Sequence, residues 1–443
     1  MGSASQHYLS RGNVTGQDLV GQRIKTVRRQ RGLSQAQLAH PELSDSYVSL
    51  IESGKRTPTP AVLELLAEKL DCSLTYLVNG VTAEQMQEIE LALRYAKLAM
   101  ENGEVVEART RYSELLADGG LAGLPQLRQD AEYGLALATE ACGELDQAIT
   151  LLEGLRENDL VVMNPERHVA VAVALSRCHR EKGDLARAVQ VPEQILGGAV
   201  RPAWNDDLMR LGGQLLVAYI SRGDLLRARQ FSAELLAAAE VLDTPQALTL
   251  AYWGAAIVAV ESGRAQEAVA HVERALAIQS EYGDPRRLAR LRGDYAQVLL
   301  TARPMEAEAW RDVLLKVEGE LSESAANPMD KMRCAMNLAR VELLLARPEP
   351  AAERMQVVCG MLDGLPQIMQ AEARLLYGQT LAELGRQEEA ARELGAGAEC
   401  LKRSPTTRDT AHAWLTAAQV LERIDEPVRS VDAYKRALAS VGL

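Results

Sequence analysis

The sequence is poor in aromatic residues and has no long apolar run. Only 4% of its 443 residues are aromatic, and the single phenylalanine is Phe231. Alanine and leucine dominate instead, which is typical of cores built by close helix packing. No run approaches the ~20 apolar residues that a membrane-spanning helix needs, and no charged-then-apolar signal segment opens the chain. We therefore expect a cytoplasmic protein that does not enter a membrane.

Metal-binding and catalytic motifs are also missing. The six cysteines form no CxxC pair and no Cys/His cluster at zinc spacing, which favours buried thiols over a metal site or a redox sensor. They are Cys72, Cys142, Cys178, Cys334, Cys359 and Cys400. The patterns HExxH, GxxxxGK[ST], GxSxG and GxGxxG do not occur. These absences predict a protein that is not an enzyme and that carries neither metal nor cofactor.

The formal net charge of −12 is unfavourable for a nucleic-acid-binding protein, but the charge is distributed unevenly along the chain. Residues 1–80 carry nine Lys/Arg and seven Asp/Glu, whereas residues 81–443 carry 40 and 54. Phosphate neutralisation acts within about a Debye length, so a local basic face is sufficient. The total charge therefore does not exclude DNA binding.

Five short helices are predicted in residues 18–80, after a flexible arm over residues 1–17. The segments are DLVGQRIKTVRRQRG, QAQLAH, DSYVSLIES, PAVLELLAEKL and LTYLV. Each start has a residue that can accept hydrogen bonds from free helix N–H groups, and each stop has a helix-breaking residue. The expected starts are Ser34, Ser44 or Asp45, Thr59 with Pro60, and Ser73; the expected stops are Gly32, Pro41 and Gly54.

The segments LSQAQLA, SYVSLIESGKRTPTP and LAEKLDCSLTYLV resemble the Xre/Cro family of helix-turn-helix domains. The resemblance implies that the third helix enters the major groove and that the second crosses the DNA backbone. One departure is the stretch LAHPELS, which is one residue shorter than the usual pattern and has Pro41 in place of a glycine-type turn.

The resemblance also implies a set of DNA contacts. Residues expected at base edges are Ser44, Asp45, Ser46, Ser49 and Leu50, and residues expected at phosphates are Arg23, Gln35, Lys55 and Arg56. Asp45 could accept from a cytosine amino group or cap the third helix, and we favour the cap. We expect core positions at Leu38, Val48 and either Leu50 or Ile51, while Tyr47 is left open between core and contact.

Beyond residue 80 the sequence repeats with a period of about forty residues. The nine turns are expected at Gly103-Glu104, Gly143-Glu144, Gly183-Asp184, Gly223-Asp224, Gly263-Arg264, Arg303-Pro304, Arg347-Pro348, Gly385-Arg386 and Asp425-Glu426. Five residues after the turn stands an alanine in seven of the nine units: Ala108, Ala148, Ala188, Ala228, Ala268, Ala352 and Ala390. A small residue also stands seven positions before most turns, so two helices can cross closely around each turn.

This spacing resembles the tetratricopeptide repeat (TPR), with a period longer by about six residues. We predict an all-α chain in which the helix-turn-helix domain is followed, over residues 81–443, by an α-solenoid of about nine TPR-like hairpins with a concave groove. The register places these candidate ligand-binding residues near the groove: Arg177, Arg180, Arg210, Tyr219, Trp253, Arg290, Gln297, Asn337, Gln379 and Gln419. The alternative is that they are ordinary solvated polar residues, with Trp253 in the core.

The combination of the two parts is similar to the peptide-sensing HTH/TPR regulators of Gram-positive bacteria. The resemblance implies a homodimer on double-stranded operator DNA, with a small peptide or another signal in the groove changing operator binding. Two alternatives remain, an array that binds a protein partner and an array that only dimerises the chain. We expect residues 405–443 to contribute to self-association.

Overall fold

The computed structural model of the protein describes residues 16–118, 120–158, 164–198, 203–282, 285–323, 328–363 and 365–441. These residues form 23 α-helices and no β-strand, which confirms the predicted all-α fold. None of the described helices is both long and apolar enough to span a lipid bilayer. By their contacts the residues group into two compact units, one of residues up to 98 together with 107–135, the other of 99–106 together with 136–443.

Five helices form the N-terminal module: α1 (Gly16–Gln30), α2 (Gln35–Ala39), α3 (Asp45–Glu52), α4 (Pro60–Lys69) and α5 (Leu74–Asn79). The predicted starts are confirmed, because Ser34, Ser44, Thr59 and Ser73 each accept a hydrogen bond from a first-turn N–H group. At α2 the cap is reciprocal, since the Gln37 side chain also accepts from the Ser34 N–H at 2.8 Å.

A buried ion pair joins α1 to α3 within this module. Arg28 donates from Nε and Nη2 to the two carboxylate oxygens of Glu52, at 2.5 and 3.0 Å. The exposed side-chain fractions are 10% for Arg28 and 3% for Glu52. Gln35 donates a further hydrogen bond to Glu52 at 2.8 Å. Around these groups the apolar core contains Ile24, Leu38, Val48, Ile51, Leu66, Leu70 and Leu77.

The remaining helices pair into nine consecutive hairpins, counted over the described residues. They are α6 (Ala83–Glu101) with α7 (Val105–Ala117), α8 (Pro125–Ala141) with α9 (Leu145–Arg156), α10 (Pro165–Lys182) with α11 (Leu185–Leu196), α12 (Asp206–Arg222) with α13 (Leu225–Leu242), α14 (Pro245–Glu261) with α15 (Ala265–Tyr282), α16 (Pro285–Ala302) with α17 (Ala307–Glu323), α18 (Pro328–Leu344) with α19 (Pro348–Cys359), α20 (Gln367–Glu383) with α21 (Gln387–Lys402), and α22 (Arg408–Arg423) with α23 (Pro427–Ser440). Short 3₁₀ helices lie at Gly120–Gly123 and Pro304–Glu306.

The turns follow the predicted register with two exceptions. Six turns have a glycine with φ between 69° and 86°, and the ninth has Asp425 with φ 60°. In the seventh hairpin the left-handed residue is Ala346, so the predicted turn at Arg347 was late by one residue. The small position after that turn is therefore the fully buried Ala351 rather than Ala352. In the sixth, Arg303 has φ −140° and the 3₁₀ helix replaces a left-handed turn.

The two small positions of a hairpin are where its helices cross. The Ser176 hydroxyl donates to the Ala188 carbonyl at 2.7 Å in the third hairpin. In the ninth hairpin the serine is on the other helix, and Ser430 donates to the Ala418 carbonyl at 3.0 Å. A larger side chain at either position would separate the helices, which explains why the sequence keeps small residues there.

Candidate functional sites

The N-terminal face of α3 is exposed as the helix-turn-helix resemblance implies. Ser44, Asp45, Ser46 and Ser49 are exposed, and Leu50 has 38% of its surface accessible while Ile51 fills the core position. The preferred interpretation of Asp45 as the cap is wrong. The Ser44 hydroxyl accepts the capping hydrogen bond from the Tyr47 N–H, and Asp45 is the first helical residue.

Two exposed cations follow α3 directly. The chain turns at Gly54, with φ 71°, and then presents Lys55 and Arg56. The Arg56 guanidinium lies 5.4 Å from the centroid of the Tyr47 ring, which itself packs against the apolar core. Tyr47 is therefore a core-edge residue that orients a cation beside the exposed face.

Arg23, a predicted phosphate contact, also makes hydrogen bonds within the domain. Its Nη1 donates to the carbonyls of Leu77 and Val78 at 3.1 and 2.5 Å, and burial lowers the pKa of its guanidinium. Arg23 therefore holds the C-terminal end of α5, where carbonyls lack helical partners. Gln35 is at the start of α2, and its amide is oriented by Glu52.

Sequence reasoning missed the residue that supports the shortened turn at Pro41. Lys69 at the end of α4 donates from Nζ to the His40 carbonyl at 2.6 Å and pairs with Glu42 at 2.5 Å. It thus satisfies carbonyls at the C-terminus of α2, where a cation is favoured. The short link between the second and third helices is held by a side chain from the fourth.

The second unit has two adjoining cavities that are partly open to solvent, of about 860 and 520 Å³. The larger is lined from α12, α14, α16, α18, α20 and α22. Its lining includes the apolar Trp253, Ile257 and Val260 from α14 and charged residues from α20 and α22. Non-adjacent hairpins therefore contribute to one interior space.

Four of the predicted groove residues line these cavities. Trp253 and Gln379 line the larger one, while Arg180 and Asn337 line the smaller one. Trp253 lines the larger cavity and also packs, partly buried, against the apolar core. The side chains of Arg290 and Gln297 lie outside the described part of the protein.

Other predicted groove residues are committed to the scaffold. Arg177 forms a two-bond ion pair with the buried Glu140, which raises the pKa of the Arg177 guanidinium. The Tyr219 hydroxyl donates to Glu193 at 2.6 Å, and burial together with this contact raises its pKa to about 12. Arg210 pairs with Asp207 one turn away at 2.5 Å. Gln419 is exposed and is absent from both cavity walls.

The cavities also contain charged residues that the repeat register did not predict. Arg340, Glu372 and Asp409 line both cavities, as does Ser221. Arg340 donates to the Asn337 side chain at 2.8 Å, and Asn337 donates in turn to the Gly293 carbonyl at 3.2 Å. These side chains come from α12, α18, α20 and α22, so only the curvature of the array brings them together.

Contacts across the interior connect hairpins that are distant in sequence. A Cβ placed on Gly183 would lie 2.8 Å from the Pro405 Cβ, so the turn of the third hairpin abuts the loop before the ninth. Arg408 of α22 pairs with Glu261 at the end of α14 at 2.9 Å. The array therefore curves back on itself around the cavities.

The cysteines are more exposed than predicted, since Cys72, Cys142 and Cys359 are only half-buried. Burial nevertheless raises the pKa of the Cys359 and Cys334 thiols to about 12, so both are protonated at neutral pH. Among the residues that the structure describes, no group of three His, Cys, Asp or Glu could hold a metal ion.

Known proteins resemble the two parts of the chain separately. The helix-turn-helix family model HTH_3 matches residues 24–77. Residues 24–77 are a helix-turn-helix domain of the Xre type. The immunity repressor protein of Bacillus phage phi105 is 38% identical over 72 residues, which are 16% of this chain and 50% of the repressor. The HTH-type transcriptional regulator PrpR of Mycobacterium tuberculosis is 37% identical over 70 residues, or 16% of this chain and 14% of PrpR. The chain thus spans half or less of the length of these curated relatives.

The fold similarity extends beyond the Xre-type domain. A Rap protein complexed with Competence and Sporulation Factor superposes with a TM-score of 0.53, covering 80% of this chain and 97% of the Rap protein, at 9% identity. This degree of likeness concerns the fold alone. The Xre-type domain is thus followed by TPR-like helical repeats.

Proposed function

We propose that the protein is a sequence-specific DNA-binding transcription regulator whose TPR-like array binds a short signal peptide that modulates operator binding. The observation that carries the DNA-binding part is the exposed, polar start of α3 with Lys55 and Arg56 beside it. Both relatives matched over the Xre-type domain are named as transcription regulators or repressors. The site is therefore one of recognition, and we propose no catalytic step.

The DNA contacts divide by chemistry. Ser46, Ser49 and Leu50 offer hydroxyl and methyl groups of the kind that read base edges in the major groove. Lys55 and Arg56 would neutralise phosphates and so set position and affinity. The Gln35 hydrogen bond to Glu52 joins α2 to α3, and the Lys69 contacts hold the link between these helices, so the surface is ordered before DNA arrives.

The signal-binding part rests on the interior cavities. Their volumes of about 860 and 520 Å³ are in the range of ligand sites, and their walls combine an apolar face with a few placed polar groups. The Rap protein of similar fold was solved with Competence and Sporulation Factor bound. An extended peptide could use Asn337 and Gln379 for main-chain hydrogen bonds and the α14 wall for apolar side chains.

We also propose a homodimer formed through the last hairpin, residues 405–441 of the described chain. Val428, Val431 and Leu438 on α23 have 83%, 52% and 51% of their surfaces accessible. They recur at three- and seven-residue spacing, which places them along one helix face. Two Xre-type domains held together in this way would read the two halves of a pseudo-palindromic operator in the cytosol.

Fluorescence anisotropy with the protein's own upstream promoter DNA tests the proposal. Tight binding that prefers this DNA over a scrambled fragment, with a steep salt dependence, is the expected result. The double change of Ser46→Ala and Ser49→Ala should reduce the preference between the two fragments. Lys55→Ala should instead lower the salt slope by about 0.9 for both fragments, while Arg392→Ala, an exposed cation of α21, serves as the control.

Repeating the titration with culture extract tests the signal. A change of operator affinity in extract, lost after protease treatment of the extract, supports a peptide. Unchanged affinity contradicts the signal-binding part and leaves the array as a dimeriser or a partner-binding surface. An equal affinity for promoter and scrambled DNA contradicts the proposal that the protein is a sequence-specific regulator.

A further inference from the structure

The exposed side of α6 carries an apolar stripe. Leu91, Tyr95 and Leu98 have 50%, 52% and 48% of their surfaces accessible. They are four and then three residues apart. At about 100° of rotation per residue they lie along one side of the helix, while Ile89 and Ala96 on the opposite side are buried. Contiguous apolar side chains that point away from the core mark an interaction surface.

The stripe belongs to the same compact unit as the DNA-binding helices, which comprises residues up to 98 together with 107–135. Within this unit α6 begins at Ala83, shortly after α5 ends at Asn79. A Cβ on Gly123 would lie 1.8 Å from the Asn79 carbonyl oxygen, so the segment after α7 packs directly on the end of α5. A partner bound to the stripe would therefore have a defined position relative to the DNA-binding helices.

The stripe has the repeat by which helices pair. Apolar residues at alternating spacings of four and three form the seam of a coiled coil, in which the side chains of one helix fit between those of the other. Ala92 lies beside the stripe, and its small side chain lets a second helix approach closely. The partner must be a helix with a matching seam, and a second copy of α6 provides one.

A row of polar residues runs beside the stripe at seven-residue spacing: Gln87, Arg94 and Glu101. Arg94 and Glu101 are exposed, and neither has an ion pair or a side-chain hydrogen bond within the described part of the chain. Their separation is about 10 Å along the helix, which is too far for them to pair with each other. A second copy of the helix could bring the two opposite charges together.

The direction of the second helix decides whether these charges meet. In a parallel pair the polar row would face the side that contains Ala92, whereas in an antiparallel pair it would face the same row of the other copy. When Tyr95 of one copy packs on Leu98 of the other, Arg94 lies opposite Glu101 of the other copy. Twofold symmetry forms this contact twice. The exposed side of α6 is therefore complementary to itself in the antiparallel direction.

We propose that two copies of the chain associate through α6, with antiparallel packing of Leu91, Tyr95 and Leu98 and two ion pairs of Arg94 with Glu101. The inference rests on the proposed homodimer and adds a contact between its copies beside the DNA-binding domains. Pairing at α6 would set the spacing and direction of the two α3 helices. It would therefore determine the separation of the operator half-sites that the dimer reads.

Exchange of the two charges tests the proposal without DNA. Analytical ultracentrifugation of the full chain measures the dimer Kd. Arg94→Glu and Glu101→Arg should each raise this Kd by about tenfold or more, since each places like charges opposite one another at both symmetric contacts. The double variant restores opposite charges and should return the Kd to within about threefold of the wild type. Lys97→Glu is the matched control, because Lys97 is an exposed cation of the same helix that lies away from the stripe.

Chemical cross-linking tests the direction of the pair. With a short bismaleimide, an equimolar mixture of Arg94→Cys and Glu101→Cys chains should form a cross-linked dimer. Either variant alone should form far less, as should the wild type with its native thiols, because like positions are separated along an antiparallel pair. Circular dichroism of each variant establishes that the chain is folded.

The outcomes separate this contact from the proposed homodimer. If both charge reversals keep the wild-type Kd, or if the mixture does not cross-link, the inference is wrong. The stripe is then free or is covered by another segment or partner, and association through α23 still stands. If the wild-type chain is a monomer at micromolar concentration, the inference and the proposed homodimer both fall, and operator affinity decides separately on DNA binding.

Discussion

Replacing Glu52 with glutamine would remove the charge that neutralises Arg28 inside the Xre-type domain. The carboxylate accepts two hydrogen bonds from Arg28, at 2.5 and 3.0 Å, and one from Gln35 at 2.8 Å. A neutral amide has one acceptor oxygen, so Glu52→Gln loses a charge-assisted bond and places an amide NH₂ against a guanidinium. Arg28 would remain buried without a counter-charge.

The expected cost follows from this arrangement. Removing one partner of a buried ion pair typically costs about 3–5 kcal/mol, because the remaining charge is left desolvated. At about 1.4 kcal/mol per factor of ten, the opening equilibrium of the domain should increase by about a hundredfold to a few thousandfold. The double change of Arg28→Met with Glu52→Leu removes both charges and should cost far less, since well-packed apolar replacements of buried pairs are often neutral.

Hydrogen–deuterium exchange of the full chain, read by mass spectrometry, is the suitable assay because it resolves the two units. In Glu52→Gln, peptides from residues 24–77 should exchange faster, and those from α20–α23 should exchange as in the wild type. The double variant should retain protection. A single variant that exchanges like the wild type would refute the argument, as would a double variant as unprotected as the single one.

The same pair gives the domain a defined pH dependence. Burial alone would raise the pKa of Glu52, but the hydrogen bonds from Arg28 and Gln35 outweigh burial and hold the pKa below its ordinary value. A depressed folded-state pKa contributes stability that is present above the unfolded value and is lost as pH falls through the folded value. Protection of residues 24–77 should therefore decline in acid in the wild type, and less so in the double variant.

Two further changes test packing and the cavity. A Cβ on Gly21 would lie 2.1 Å from the Ile51 carbonyl oxygen, so Gly21→Ala should destabilise the Xre-type domain by about 3 kcal/mol in denaturant titrations. Gly154→Ala, which meets no atom within 4 Å, should be neutral or slightly stabilising. Because the pKa of Glu372 is raised in the folded state, the destabilising contribution of this one group to the second unit disappears as pH falls through that pKa. Glu372→Gln should therefore melt higher than the wild type at pH 7.5, with the difference vanishing near pH 4; a constant difference would contradict the cause.

The sequence predicted local structure well because the relevant signals are local. Ser34, Ser44, Thr59 and Ser73 begin helices since a hydroxyl accepts from N–H groups only two or three residues away. The turns that recur about every forty residues could be predicted because a left-handed backbone conformation favours glycine. The turn at Ala346 was misplaced by one residue because an alanine in that conformation carries no such signal.

The candidate sites were harder to predict because they depend on tertiary contacts. A repeat register identifies the side of a helix but not its partners, so Arg177 and Tyr219 were assigned to the groove although Glu140 and Glu193 bind them. Arg340, which lines both cavities, was missed since the cavities form only when distant hairpins meet. Arg23 has the position of a phosphate contact, and its hydrogen bonds to the Leu77 and Val78 carbonyls depend on packing between α1 and α5 that the sequence does not reveal.

The curvature of the array, which the sequence did not predict, also determines which hairpins a ligand in the cavities would couple. In a simple solenoid each repeat contacts only its neighbours, so a local event spreads through adjacent interfaces alone. Here the contact of Gly183 with Pro405 and the ion pair of Arg408 with Glu261 join hairpins that are four to six units apart. A ligand can shift an equilibrium only by binding one state better than another. Under the proposed function, a ligand that occupies the cavities would contact hairpins on both sides of this closure, whereas an opened array would offer it only one side. Binding would therefore favour the closed form of the array.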